Sequence, residues 1–266
     1  MPFNIQTALQ IGQFAAAAYN FNPAANSYPL PFSYQLVNVI YGNDLATDIG
    51  GPKGVVPFGF VARAPAPALD FVVAIRGTEG IWEWMQDARF LRVKCPFAAG
   101  AGETEDGFTD VYESLSVDSA TGPTLIAALK LIQAANPAAS LTINGHSLGA
   151  ALATLLALDV AENAAFVEPL VITFASPMVG DAQFARTYNA EVPNSWRIAN
   201  SVDLVPKLPP SFWGFDHVDQ LASVNSFGKA KLLPSCTHAL TTYLYLLDQQ
   251  GGGTTFKLDS NCAGTF

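Results

Sequence analysis

The residues with the clearest chemical potential are Gly145, Ser147 and Gly149, which form a Gly-x-Ser-x-Gly pattern between a strand-like apolar segment and an alanine-rich one. Residues 150–158 have the composition of a buried helix. A serine on such a strand-to-helix turn exposes its hydroxyl, and the flanking glycines leave room where a Cβ would collide. The pattern predicts a nucleophilic serine and makes the backbone N–H of Leu148 an oxyanion donor. The alternative is a buried connection that contains a serine by coincidence.

A nucleophilic serine needs a base, which is usually a histidine oriented by a carboxylate. Of the three histidines, His146 lies inside the motif, where its side chain points away from the serine. A predicted strand at residues 220–226 puts His238 at its carboxyl end and His217 at its other end. Sites of open α/β sheets lie at the carboxyl ends of strands. We therefore predict His238 as the base and retain His217 as the alternative.

The carboxylate that would orient the base follows the serine and precedes the histidine in chains of this type. Asp203 satisfies that order, because it lies in the loop after a predicted strand at residues 195–199. A turn-stabilising role is the alternative for this aspartate. Asp181 is the second candidate for the acid, although it is more simply explained as the cap of the helix that follows it.

Strand and helix patterns alternate through the middle of the chain, which predicts an α/β fold with a mostly parallel central sheet flanked by helices. We find no internal repeat and no linker, and we expect residues 1–266 to form a single domain. The predicted strands are residues 33–40, 58–63, 71–75, 141–143, 170–174, 195–199 and 220–226. The predicted helices are residues 5–19, 106–114, 124–135, 150–158, 181–190 and 239–248.

Composition excludes several classes of function. Hydrophobic residues make up 50% of the chain and charged residues 13%, so disorder is not expected. No apolar run reaches the roughly 20 residues of a membrane span. The net charge of −9 opposes binding to nucleic acid and to strongly anionic membranes. These features favour a soluble globular protein that acts on neutral substrates.

The cysteines and the N-terminus bear on the compartment. Three cysteines form an odd set, so at least one thiol is free or paired between chains, and a Cys236–Cys262 bond is the less favoured arrangement. The N-terminal residues 1–6 lack the charged and apolar regions of a secretory signal, which slightly favours the cytoplasm over secretion with the signal already removed. No Cys or His spacing suggests a metal site, and we expect no cofactor.

Several stretches jointly resemble the class 3 lipases, a family of α/β hydrolases. The resemblance covers roughly residues 55 to 248. It implies that Thr78, after Arg76 and Gly77, is the second oxyanion donor and that Asp87 anchors its hydroxyl. Two departures are an acidic Glu105-Asp106 before Gly107, where many relatives have a histidine, and the lack of Pro-Glu-x-Trp after either candidate base. The other matching stretches are Gly107-Phe108 with Tyr112, residues 145–150, 174–180, 197–206, 217–218 and 236–244.

In this family the segment after the oxyanion strand is a lid. Residues 81–87 have the length of a two-turn helix, with Ile81, Trp82 and Met85 on one side. The opposite face of this helix is acidic, which would repel anionic lipid headgroups and favour neutral esters. Opening such a lid would expose a lipid-binding surface. The alternative is a helix whose aromatic residues pack in the core, which is the favoured interpretation for Trp84. The lid and pocket residues implied by the resemblance are Ile81, Trp82, Trp84 and Met85.

The resemblance therefore implies a serine carboxylesterase of the triacylglycerol lipase type, which hydrolyses neutral acylglycerols or similar esters through an acyl-enzyme. The alternatives are a phospholipase A1 or a feruloyl-type esterase with the same catalytic residues, and a non-catalytic lipid-binding protein on the same fold. The expected partners are a small-molecule or lipid ester and a lipid–water interface, without nucleic acid. The sequence leaves the acyl-chain preference and the oligomeric state open.

Overall fold

The computed structural model describes residues 2–44, 54–78, 90–218 and 220–264. The strands in chain order are β1 Gln35–Asn43, β2 Val55–Arg63, β3 Asp70–Ile75, β4 Arg92–Lys94, β5 Glu103–Glu105, β6 Ser116–Val117, β7 Ser140–His146, β8 Leu170–Phe174, β9 Gly180–Asp181, β10 Ser195–Asn200, β11 Phe215–Asp216 and β12 Leu221–Val224. The α-helices are α1 Ile5–Ala17, α2 Asp106–Glu113, α3 Leu125–Ala135, α4 Leu148–Asn163, α5 Ala182–Glu191, α6 Pro234–Thr237 and α7 Leu240–Gln250.

The main sheet has the strand order β12-β10-β8-β7-β3-β2-β1-β6. The five strands from β12 to β3 are mutually parallel, whereas β2, β1 and β6 pair in antiparallel fashion. Short connections suffice for antiparallel neighbours, while each parallel pair needs a crossover that is usually helical. The prediction of a mainly parallel sheet flanked by helices is confirmed. The parallel half brings the carboxyl ends of β3, β7, β8, β10 and β12 to one edge.

Helices cover both faces of this sheet. Alternate residues of β8 face opposite sides, with Val171 packed in the core beneath α4 and Ile172 in the core shared by α1 and α7. The α4 helix is buried on nearly every side, as its uniformly apolar sequence predicts. Two helical layers therefore enclose the parallel strands and hold their carboxyl ends in place.

A second sheet of four short strands, in the order β11-β9-β5-β4, was not predicted. Its strands are two or three residues long, and they pair in antiparallel fashion. Such short segments carry too few side chains to show a period-two pattern. This small sheet packs beside α2 and α5 and carries the segment that leads to His217.

A disulfide joins Cys236 to Cys262, so the less favoured pairing of the sequence analysis is the one that the structure contains. Two cysteines 26 positions apart give no local signal of proximity, because only the folded tail brings them together. Cys95 is free and buried, which agrees with the expectation of one unpaired thiol.

The predicted lid lies outside the described residues, together with Ile81, Trp82, Trp84, Met85 and Asp87. No helix in the described part of the chain is long and apolar enough to cross a membrane. The single domain over residues 1–266 stays a prediction.

Candidate active site

The turn between β7 and α4 holds Ser147 in a strained backbone conformation, with φ 61° and ψ −127°. A Cβ at Gly145 would lie 2.1 Å from the carbonyl oxygen of Gly149, and one at Gly149 would lie 2.1 Å from the carbonyl oxygen of Ile75. Both positions therefore require glycine, for the steric reason that the sequence indicated. The backbone N–H of Ser147 donates to the Phe174 carbonyl, which fixes the turn against the end of β8.

Ser147, His238 and Asp203 form one chain of hydrogen bonds. The Ser147 Oγ lies 2.8 Å from Nε2 of His238, and Nδ1 of the same ring lies 2.8 Å from Oδ2 of Asp203. A carboxylate only accepts, so Nδ1 carries the hydrogen and Nε2 accepts from the serine hydroxyl. The three predicted residues are thus brought together with the polarity that proton removal from serine requires.

Asp203 is fully buried and receives three donors. Besides His238, the Tyr243 hydroxyl donates to Oδ2 at 2.7 Å and the Val205 N–H donates to Oδ1 at 3.1 Å. Burial and the adjacent Asp203 carboxylate raise the pKa of Tyr243 well above its ordinary value, so this hydroxyl keeps its proton and remains a donor. The Tyr243 oxygen also accepts the N–H of Asn200 at 3.0 Å. The carboxylate is held in one orientation against the imidazole.

The backbone that carries His238 is clamped by side chains on two successive carbonyls. The Asn200 amide donates to the Thr237 carbonyl at 2.8 Å, and Nε2 of His146 donates to the His238 carbonyl at 2.8 Å. His238 caps the C-terminus of the short helix α6 instead of lying in an open loop. The base therefore projects from a segment whose main chain is fixed at both peptide groups.

His146 is part of a second buried network. Its Nε2 carries the hydrogen, because the His238 carbonyl only accepts, and its Nδ1 accepts from the Tyr19 hydroxyl at 2.7 Å. The Tyr19 oxygen in turn accepts the Gly77 N–H at 2.9 Å. Burial lowers the pKa of His146 to about 3 and raises that of Tyr19 to about 12, so both groups are neutral near pH 7. One continuous network thus joins the segment before Thr78 to the serine turn and to the base.

The two predicted oxyanion donors, Leu148 and Thr78, lie near the serine. Leu148 is the first residue of α4, so its N–H has no acceptor within the helix and lies at the positive end of the helix dipole. Thr78 lines the same cleft as Ser147, at the carboxyl end of β3. The Thr78 hydroxyl donates to Oδ1 of Asp44 at 2.9 Å. The resemblance assigned this anchor to Asp87, which lies outside the described residues, and Asp44 had not been singled out.

The alternative residues have other contacts. The Nε2 of His217 donates to the Pro206 carbonyl at 2.5 Å, and burial lowers the pKa of this histidine to about 4. Asp181 caps α5 by accepting the Phe184 N–H at 2.8 Å, as its simpler interpretation stated. Neither belongs to the hydrogen-bonded chain at the serine. In the described part of the sequence, no group of three His, Cys, Asp or Glu side chains could hold a metal ion.

A cleft of about 470 Å³ opens over the serine. This volume lies in the range of pockets that bind small organic ligands. Its wall combines apolar residues of α1 and α7 with polar residues. The residues that line it include Ala16, Leu240, Leu244, Thr241, Ser235 and Asp259.

Tyr19, Tyr243 and Asn200 are site residues that the sequence analysis did not identify. Tyr19 follows α1, more than a hundred residues before the serine, and Tyr243 lies within α7. In sequence each looks like an ordinary residue of an amphipathic helix. Asn200 directly follows a predicted strand end, so its position at the carboxyl edge of the sheet was the one available signal.

A parallel sheet with a serine turn after β7 and an acid and base at later positions defines an α/β hydrolase. The sequence profile of the lipase (class 3) family matches residues 72–213, and the chain belongs to this family. It is 35% identical to Phospholipase A1-II 3 of Oryza sativa subsp. indica over 71% of this chain and 51% of that protein. It is also 35% identical to Secreted mono- and diacylglycerol lipase A of Penicillium cyclopium, over 55% of this chain and 45% of that protein.

The chain therefore spans about half the length of these relatives. Among solved structures, the fold resembles that of the Rhizomucor miehei lipase in its propeptide complex. The TM-score is 0.62 and the identity 23%, with 82% of this chain and 67% of that chain covered. This likeness confirms the predicted α/β-hydrolase fold.

Proposed function

We propose that this chain is a serine carboxylic ester hydrolase of the lipase type that forms an acyl-enzyme at Ser147. The supporting observation is the hydrogen-bonded chain from the Ser147 Oγ through His238 to Asp203, which lies beside the N–H of Leu148. Each group is buried, so water does not compete for these hydrogen bonds. Ser147 and His238 also line the cleft.

In the proposed reaction His238 Nε2 removes the serine proton while Oγ attacks the ester carbonyl. Asp203 accepts a hydrogen bond from Nδ1 and stabilises the imidazolium that forms. The N–H groups of Leu148 and Thr78 stabilise the oxyanion. The imidazolium then protonates the departing alcohol, which leaves an acyl group on Ser147. His238 next removes a proton from water, whose oxygen attacks the acyl carbonyl. The imidazolium returns this proton to the Ser147 Oγ as the bond between Oγ and the acyl carbon breaks, which releases the carboxylic acid and restores the serine hydroxyl.

The proposed substrates are neutral acylglycerols or similar esters, presented at a lipid–water interface. The apolar wall of the cleft, with Leu240 and Leu244, suits an acyl chain. A phospholipase A1 activity is the second candidate, because one of the two relatives described above carries that name. Rates on a diacylglycerol and on a phosphatidylcholine with the same acyl chains separate the two candidates.

The central test is Ser147→Ala, assayed on 4-nitrophenyl butyrate and by labelling with a fluorophosphonate. Activity is expected to fall by at least about 10³-fold, because the nucleophile is lost, and labelling is expected to disappear. His238→Ala is expected to cause a comparable loss, whereas His217→Ala is the matched control and keeps most of kcat. Substantial turnover by Ser147→Ala, or equal losses from the two histidine variants, would contradict the proposal.

We also propose that the chain folds in an oxidising compartment. The Cys236–Cys262 disulfide supports this, since such bonds persist in secreted proteins and are rare in the cytosol. The Penicillium cyclopium relative is named a secreted lipase. The slight preference for the cytoplasm in the sequence analysis has no support from these observations.

A further inference from the structure

The segment after α7, residues 254–264, returns toward the cleft, and we call it the C-terminal strap. Its first part is held by Asp248 near the end of α7. The buried Asp248 carboxylate accepts the Phe256 N–H at 2.8 Å, and the Asp248 carbonyl accepts the Gly253 N–H at 2.7 Å. Phe256 packs against the core between α1 and α7. The strap is therefore attached to the fold from its beginning.

The far part of the strap is attached next to the predicted base. Cys262 is bonded to Cys236, which lies two residues before His238. The Lys231 N–H donates to the Cys262 carbonyl at 3.0 Å, and the Lys231 ammonium donates to the Asn261 carbonyl at 2.8 Å. These links fix the strap against the segment that precedes α6.

Between these two attachments the strap contributes Asp259 to the wall of the cleft that contains Ser147. The Asp259 Oδ2 accepts the Thr241 hydroxyl at 2.8 Å, and its carbonyl accepts the N–H groups of Cys262 at 2.8 Å and Ala263 at 3.0 Å. Among the residues that the structure describes, no basic side chain pairs with this carboxylate. The residue is exposed, so its charge faces whatever enters the cleft.

We propose that the strap is a wall of the substrate cleft and that Asp259 is a specificity-determining residue that disfavours esters carrying a negative charge. The inference rests on the proposed function of the Ser147 site and narrows its substrate class to neutral or cationic esters. A fixed carboxylate repels an anionic group that binds a few ångströms away, and it leaves an uncharged group unaffected. Because the carboxylate is exposed, solvent and salt reduce the effect to about fivefold in kcat/KM at low ionic strength.

The test compares two soluble esters, 1-butyryl-glycerol and 1-butyryl-glycerol 3-phosphate, with wild type, Asp259→Asn and Glu191→Gln. Glu191 is an exposed carboxylate at the end of α5, so its variant removes the same charge away from the cleft. The ratio of kcat/KM for the neutral ester to that for the anionic ester is expected to fall about fivefold in Asp259→Asn. It should stay at the wild-type value in Glu191→Gln, and added salt should reduce the difference between wild type and Asp259→Asn.

An unchanged ratio in Asp259→Asn, or an equal fall in both variants, overturns the proposal. A second variant, Thr241→Val, removes the hydrogen bond that orients the carboxylate and is expected to lower the ratio by a smaller factor. If Asp259→Asn does not fold, an unaltered ratio in Thr241→Val overturns the proposal by itself. Loss of turnover in Ser147→Ala tests the proposed function separately, so failure of the strap and failure of the Ser147 site are distinguishable.

Discussion

Replacing Tyr19 by phenylalanine tests whether the hydrogen-bond network that links Gly77 through Tyr19 and His146 to the His238 carbonyl affects catalysis. The substitution keeps the ring and removes one oxygen. The Gly77 N–H then loses its acceptor, and Nδ1 of His146 loses its donor. Gly77 precedes the predicted oxyanion donor Thr78, and His146 holds the carbonyl of His238. One missing oxygen therefore loosens two parts of the site together.

The magnitude follows from the two unsatisfied groups. A buried polar group left without a partner costs about 1–3 kcal/mol. Tyr19 is 39% exposed as a residue and lines the cleft, so water from the cleft can partly replace the lost hydroxyl. We therefore take the low end, about 1.4 kcal/mol, for the effect on the transition state, which corresponds to a tenfold lower kcat. The KM should change little, because the ring that lines the cleft is retained.

The assay is steady-state hydrolysis of 4-nitrophenyl butyrate together with urea unfolding. Tyr188→Phe is the matched control, since the buried Tyr188 hydroxyl bonds Ser195 at 2.8 Å and belongs to α5. Both variants are expected to lose stability, and only Tyr19→Phe should lose kcat. If Tyr19→Phe is destabilised while its kcat stays within twofold of wild type, the network is structural and the reasoning is refuted.

Two further predictions concern stability. Replacing both Cys236 and Cys262 by alanine should lower the free energy of unfolding by about 3.5 kcal/mol, from the chain entropy of a loop with separation 26, and a loss below about 1 kcal/mol in urea unfolding would contradict this. Burial raises the pKa of Glu105 from 4.5 to about 7, so the folded state holds this proton more tightly than the unfolded state. Its stabilising contribution is complete below about pH 4.5 and is lost as the pH rises through 7, a change of about 3 kcal/mol. In urea unfolding from pH 4.5 to 8, Glu105→Gln should reduce this decline, and a parallel decline in both proteins would refute it.

Local pattern was sufficient for the parallel half of the fold. The strand at residues 170–174 was predicted with the bounds that the structure has, and most helices agree within a few residues. Buried parallel strands are continuous apolar runs, and the helices between them show one apolar face, so each element can be recognised alone. The small second sheet could not be recognised, because its strands exist only through pairing between segments such as β5 and β9, which are far apart in sequence.

The candidate site likewise combines residues that a local sequence pattern identifies with residues that only tertiary packing brings to the site. Glycines two positions before and after Ser147 identify this serine. Asp203 and His238 follow it in the expected order along the chain, and each lies after a predicted strand. The partners Tyr19 and Tyr243 carry no such mark, since a helix presents many polar side chains and only packing selects the one that reaches the site. The described partner of the Thr78 hydroxyl is Asp44, which no local pattern marks, while the implied anchor Asp87 lies outside the described residues and stays a prediction.

Sequence patterns were sufficient to predict the type of fold, the candidate nucleophile and the order of the residues proposed to serve it, because strand and helix periodicity and the steric need for glycine act over a few neighbouring positions. The tertiary structure alone decided what holds those residues in place. The Tyr19–His146 network, the hydrogen bonds of His238 and Tyr243 to Asp203, and the disulfide that returns the strap to the cleft all join segments separated by tens of residues or more. Such contacts depend on how whole elements pack, and short-range pattern does not encode that packing.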